Sequence, residues 1–148
     1  MDTQQNSEVA DFLESTMPRL VQAERVIHSG DAQPRHAMWS RNEPVTVFGA
    51  WKSCAGQDDV RALFDQLAHS FSDCTSYGVE LVAAGASGDL AYTVTYENSS
   101  ASVDGEPRTY VLRVTHIYRR EDGEWKVVHR HGDELAEGQD HLPGTVYS

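Results

Sequence analysis

RTYVLRVTHIYRREDGEWKVVHRHGD, residues 108–133, holds two runs rich in Val, Thr, Ile, Tyr and Trp, split by Glu121-Asp122-Gly123. β-branched and aromatic residues fit a pleated, half-buried surface, so the stretch reads as a β-hairpin. A three-residue loop with Gly third suits a type I turn closed by a left-handed glycine. With Arg120 opposite Glu124, Thr115 falls opposite His129, Arg113 opposite His131 and Ile117 opposite Val127. Side chains alternate along a strand, so Trp125, Val127, His129, His131 and Asp133 are expected on one face with Arg113, Thr115 and Ile117. Two imidazoles, a guanidinium and a hydroxyl beside apolar groups make a poor dry core and a fair pocket.

Working outward, apolar residues from Val9 to Ile27 recur at helical spacing. Pro18 predicts a kink there, or a helix that begins near it with Thr16 as cap. Gly30 suits the left-handed residue after a helix end. Pro34 opens a short second helix to Ser40, and Val45–Phe48 is a short strand closed by Gly49. Val60, Leu63, Phe64, Leu67, Ala68 and Phe71 mark a third helix with a single apolar stripe. Strands are expected at 77–84 and 90–97, with 99–107 as a polar loop. Helices first, then hairpin-linked strands, predict an α+β domain on a four- to five-stranded antiparallel sheet. Residues 134–148 read as a loose tail in which Leu142, Val146 and Tyr147 could dock. The hairpin's other face, with Leu112, Val114, His116, Tyr118 and Val128, is expected to be the outer one and to bury against a second copy.

The chain has 148 residues and a formal net charge of −11. That balance argues against nucleic acid and against an anionic membrane surface, both of which need a cationic footprint. No apolar run approaches a transmembrane length of ~20 residues. Cys54 and Cys74 lack paired-motif spacing and read as reduced thiols, and an acidic start unlike a signal peptide makes the expected location cytoplasmic.

Gly30-Asp31, PVTVFG at 44–49 and LRVTHIYRREDGEWKVVHRHGD at 112–133, in this element order, resemble the SnoaL-like, ketosteroid isomerase-like branch of the nuclear transport factor 2-like superfamily. The resemblance covers roughly residues 7–133. It implies one domain over 1–133: a cone of curved antiparallel sheet wrapped around a long N-terminal helix, with a pocket at its open end. It also implies a homodimer through the outer sheet face. The superfamily contains isomerases, dehydratases, cyclases and members that only bind or assemble, so the fold alone names no chemistry. Steroid isomerases use a Tyr with two acidic residues, and no such acidic pair maps onto the presumed cavity strands; Glu97 is the one strand carboxylate near enough to suggest it. Scytalone dehydratase-like members use a His–Asp pair with tyrosines, which His129 or His131 with Asp31, Tyr92 and Tyr96 would imitate.

On this reading His129 or His131 is the proton carrier, because imidazole exchanges protons at neutral pH. The alternative is a histidine hydrogen-bonded within the fold. Arg113 is the oxyanion stabiliser or, equally, the partner of Asp133 or Glu97. Asp31 is an orienting group or base, against the commoner role of an Asp that bonds nearby backbone N–H groups. Trp39, Trp51, Tyr92, Tyr96 and Thr115 are the candidate walls for an apolar ligand. His36, His69 and His116 are read as surface or interface residues. His-x-His also has zinc spacing, with Asp133 or a distant residue as third ligand, but a lone pair is a weak metal signal, so no metal or other cofactor is expected. The leading expectation is cofactor-free isomerisation, dehydration or cyclisation of an apolar, carbonyl-bearing molecule. The alternative is a non-catalytic binding or dimerisation module of the same fold.

Overall fold

In the computed structural model of the chain, residues 3–148 are described. The order is α1 (Thr3–Ile27), α2 (Gln33–Met38), β1 (Thr46–Phe48), β2 (Ser53–Ala55), α3 (Gln57–Ser70), β3 (Phe71–Ser87), β4 (Leu90–Val103), β5 (Glu106–Glu121), β6 (Glu124–Glu134) and β7 (Thr145–Tyr147). One curved, unclosed sheet runs β2-β1-β6-β5-β4-β3-β7. It has seven strands rather than four or five, and it is mixed, because β1 lies parallel to β6. Strands β3 to β5 are longer than expected: the polar stretch after Glu97 continues β4 instead of looping, and turns only at Asp104-Gly105.

α1 passes through Pro18 as one helix. Pro18 and Glu14, whose carbonyl the ring deprives of a donor, are both exposed, so water meets the freed oxygen. Phe12, Thr16, Leu20, Glu24 and His28 recur every fourth residue and are all buried, forming the stripe that faces the sheet. Phe12 meets Tyr118 and Trp125 edge-on at 5.0 and 5.1 Å. Trp39 stands edge-on to Phe64 at 5.0 Å, tying the segment after α2 to α3. The tail is not loose throughout, since β7 pairs with Val79–Leu81 of β3. Gly144 permits that approach: a Cβ there would lie 2.8 Å from the Leu81 carbonyl oxygen.

The decisive hairpin differs from its expected register in two places. Glu121 pairs with Glu124, so the loop is only Asp122-Gly123, and both have positive φ (50° and 79°). That is the left-handed pair of a two-residue type I′ turn, whose twist matches the strands. The same Asp-Gly pair, with φ 50° and 84°, joins β4 to β5. A bulge follows: Tyr118 pairs with Val127 but Ile117 with His129, leaving Val128 as the extra residue. One inserted residue reverses every later side chain. Trp125 and Val127 therefore point into the core, whereas His129, His131 and Asp133 point outward with Arg113, Thr115 and Ile117. Thr115 lies opposite His131, and Arg113 opposite Asp133. Val114, His116 and Tyr118, expected outside, are buried beneath α1.

Candidate functional site

The inward positions of β4 are Ala91, Thr93, Thr95, Glu97, Ser99 and Ala101, every one buried. A strand that alternates strictly yet buries its polar set needs partners for each group. Arg130 of β6 supplies the main one. Its Nη1 and Nη2 donate to Glu97 Oε2 and Oε1, both at 2.9 Å, a bidentate pair. Nη1 also reaches Glu24 Oε1 at 3.4 Å, and Arg35 of α2 donates to Glu24 Oε2. Two guanidinium groups and two carboxylates from α1, α2, β4 and β6 thus balance in charge inside the cone.

Burial alone would raise the Glu97 pKa, but Arg130, by charge and by hydrogen bonding, holds it down at about 2. His116 is lowered as well: burial, then the Arg130 charge, brings it to about 3, so its ring is neutral. Arg130 Nη1 lies 3.2 Å from His116 Nε2. Guanidinium only donates, so Nε2 accepts and the ring proton sits on Nδ1. Among the described residues that Nδ1–H is buried without a partner, as are Thr16 Oγ1 and Arg35 Nε, whereas the Tyr118 hydroxyl leans toward Thr93 and that of Tyr77 toward Glu97. Thr93 lies directly opposite His116, and Tyr118 is the next inward residue of β5. Burial raises the Tyr77, Tyr110 and Tyr118 phenols, Tyr110 to about 12, so all three stay protonated.

An aromatic cover borders this cluster. His28 stacks on Phe71 at 4.4 Å and lies nearly parallel to Tyr77 at 5.9 Å. Its Nδ1 donates to the Glu24 carbonyl at 2.6 Å, and its Nε2 accepts from Tyr110 OH at 2.7 Å. Burial lowers the His28 pKa against the pull of Glu24, which keeps the ring neutral. Tyr110 and Phe71 are partly exposed and separate the interior from solvent.

Glu24, Glu97 and His116 each offer an atom within 4.8 Å of the others, a grouping that resembles a metal site. Arg130 bonds to all three and already supplies the positive charge there. The donor set is therefore filled by a cation of the chain itself.

The residues anticipated from the sequence lie elsewhere. His129 is half-buried on the outer face, with Nδ1 at 2.7 Å from Thr46 Oγ1; burial, then His131, lowers its pKa. His129 and His131 both stand edge-on to Phe48 at 5.5 Å. Arg113 is exposed and grips Asp133 through Nε and Nη2 at 2.9 and 2.7 Å. Asp31 accepts from the Gln33 backbone N–H at 2.9 Å, the common loop role. Trp39 is core, whereas Trp51 is exposed between β1 and β2. Tyr92 is exposed on the outer face; Tyr96 is buried under the tail, accepting from Leu142 N–H at 2.9 Å. Tyr96, Arg113, Thr115 and His131 do meet, in an open cleft of about 670 Å³ on the outer face, bounded by Val82, Val94 and Leu142. Asp31, Trp39, Trp51 and Tyr92 do not join them. His116 and His36, read as surface residues, are buried; His36 Nε2 bonds Asp65 at 2.7 Å.

The chain, an α+β fold with this element order, matches the SnoaL-like domain over residues 14–133. The chain belongs to the SnoaL-like family. A ketosteroid isomerase-like protein from Erwinia carotovora atroseptica shares the fold with a TM-score of 0.71 at 14% identity, covering 88% of this chain and 98% of its own. A nuclear transport factor 2-like protein from Salmonella enterica superposes with a TM-score of 0.70 at 12% identity, over 90% and 95%. A provisional dehydratase of the same superfamily from Streptomyces avermitilis gives 0.67 at 16% identity, over 86% and 97%. No curated protein matches the chain. At such identities the likeness is one of fold. Among the described residues no helix of this SnoaL-like chain is long and apolar enough to cross a membrane.

Proposed function

We propose that this SnoaL-like protein is a cofactor-independent acid–base enzyme acting on an apolar, carbonyl-bearing small molecule, and that its site is the interior of the cone. The observation that supports this reading is the buried His116 Nδ1–H, which has no partner among the described residues, beside the Arg130–Glu97 pair. Buried donors left unpaired cost on the order of 1–3 kcal/mol each, and functional sites are where such costs are retained. Phe12, edge-on to Tyr118, and Trp125 beside it are apolar, as a hydrophobic substrate requires. Glu24 is the candidate base, because its Oε1 has only the long 3.4 Å contact with Arg130, while Glu97 is held at both oxygens. Isomerisation or dehydration next to a carbonyl would pass a proton between substrate carbon and this oxygen.

The partner we propose is a second copy, seated on the outer sheet face. Two cross-strand rows there, Val94–Thr115–His131–Phe48 and Tyr92–Ile117–His129–Thr46, contain no carboxylate. In a chain of net charge −11 such a face lets two copies meet without repulsion, and Phe48, Tyr92, Val94 and Ile117 are exposed on it. The rival reading, a binding or dimerisation module without turnover, is favoured by the grip of guanidinium groups on both interior carboxylates.

The two separate in a turnover assay. Cyclic β,γ-enones and β-hydroxyketones are offered at neutral pH and formation of the conjugated enone is followed. Catalysis by wild type, reduced about 10²–10⁴-fold in Glu24→Gln, is the expected result. Rates equal to buffer across both substrate classes would leave the module.

A further inference from the structure

We infer that the exposed Trp51 of one copy seats in the outer cleft of a second copy, so that each cleft is closed by a residue its own chain does not place there. This rests on the outer sheet face being the contact between copies. It adds which way the two copies are turned and what anchors them.

The cleft, of about 670 Å³, has a built wall. The tail crosses the outer face there, with Leu142 N–H on Tyr96 OH at 2.9 Å and the His141 ring 4.0 Å from that of Tyr96. His141 Nε2 lies 3.0 Å from Glu80 Oε2, a second tie. Val82, Val94 and Leu142 give apolar surface. Arg113, held by both oxygens of Asp133, is a fixed guanidinium, the cation on which an indole stacks well.

The β1–β2 turn carries the matching knob. Trp39 and Trp125 are core, whereas Trp51 is 65% exposed. The turn is tight: Gly49 N–H donates to Lys52 O at 3.0 Å, and a Cβ on Gly49 would lie 2.5 Å from that oxygen. A tryptophan presented on a pinned turn loses little freedom on docking, and such anchors dominate contact energies.

Register puts knob and hole at the same height. Val94, Thr115, His131 and Phe48 form one row, and Tyr96, Arg113 and Asp133 the next. Because β1 runs parallel to β6, the chain leaves Phe48 toward the level of Asp133, and Trp51 lies at that end. The face runs β1-β6-β5-β4, so β1 and β4 each stand about 7 Å from its midline. A two-fold axis along that midline keeps height and exchanges sides. It carries the β1–β2 turn of one copy over β4 and the tail of the other, onto the cleft. An axis across the strands would bring the turn to the opposite end, beside Leu90 and the Arg119–Glu121 ion pair, and leave the cleft open. Charge agrees with the first arrangement. Lys52 follows Trp51, and Asp140 lines the cleft, so opposite charges approach as the ring enters.

The test is a dilution series of wild type, Trp51→Ser, Leu142→Ser and the double variant by sedimentation velocity, with circular dichroism of each. Expected are a wild-type dimer, dissociation constants raised tenfold or more by each single change, and a double variant little weaker than either single one, because both remove one contact. Tryptophan emission is followed in the same series. With Trp39 and Trp125 buried in either state, Trp51 is the reporter, and its emission should move to shorter wavelength as the dimer forms. A wild-type dimer with the affinity of Trp51→Ser unchanged, with additive effects of the two changes, or with emission that ignores dilution overturns the inference and leaves the outer-face dimer standing. A wild-type monomer throughout overturns the dimer itself. Leu142→Ser lies outside the turn, so its effect is readable even if Trp51→Ser disturbs β1 and β2.

Discussion

Arg130 and Glu97 face each other across the inside of the cone as a two-bonded pair at 2.9 Å and 2.9 Å, linking β6 to β4 past the intervening β5. The pair is desolvated, so its Coulomb attraction is strong and so is the cost of breaking it. Arg130→Met would leave Glu97 as an uncompensated buried carboxylate, while Glu24 keeps Arg35. The expected loss is about 3–5 kcal/mol in urea unfolding. The double variant Arg130→Met, Glu97→Leu removes both charges and should recover part of it. A loss under about 1 kcal/mol for the single variant would mean that water reaches Glu97.

Acid stability follows from the same cluster. Unfolded His titrates near pH 6.5, whereas folded His116 stays neutral down to about 3. Between those values the unfolded chain binds more protons, so stability is complete above about pH 6.5 and declines as pH falls. Glu97, with a folded pKa of about 2, adds a second loss as pH drops from about 4.3 toward 2. His28 and His129, both lowered, act in the upper window as well. His116→Gln should flatten the decline between about pH 6 and 4 by one proton's worth, ~1.4 kcal/mol per pH unit. An unchanged slope would place His116 in contact with solvent.

How much of this was legible in the residues varies by level. The hairpin, the two main helices and the α+β class follow from period and turn chemistry, and the SnoaL-like pattern at 112–133 named the family. The facing of β6 did not follow. Val128 differs in no intrinsic property from its neighbour Val127, so nothing local marks it as the inserted bulge residue. That single residue moved His129 and His131 outside and brought Arg130 inside. Thr16, Glu24 and His28 were visible as polar members of a four-residue spacing that also holds Phe12 and Leu20, a pattern that announces a buried polar network. In β4 the buried set ATTESA alternates with the larger YVYN set. Hydrophobicity alone therefore points to the outer face, where Tyr92 and Tyr96, the expected ligand walls, stand.

The turn that sets the register is open to direct test. Gly123 has φ 79° with no atom near a built Cβ, so Gly123→Ala meets only the backbone penalty. It should cost about 1 kcal/mol in unfolding experiments. Asp122→Asn, which tolerates the same left-handed region, should be close to neutral. Equal effects of the two would contradict a type I′ turn.

Self-association through the outer face predicts a clean surface variant. Ile117 is 38% exposed in the middle of the uncharged rows. Ile117→Glu places two like charges opposite one another in an isologous contact. Sedimentation velocity should show a wild-type dimer and a monomeric variant of unchanged circular dichroism. A dimer that persists in the variant would put the contact on another face.

The central claim is that chemistry belongs to the concave interior rather than to the outer histidines, and a crystal structure grown with α-tetralone tests it most directly. The account predicts the bicycle of this ketone between α1 and the sheet, on the side of Glu24 Oε1. Density for the ketone in the outer cleft, beside His131 and Arg113, with the interior unchanged, would contradict it.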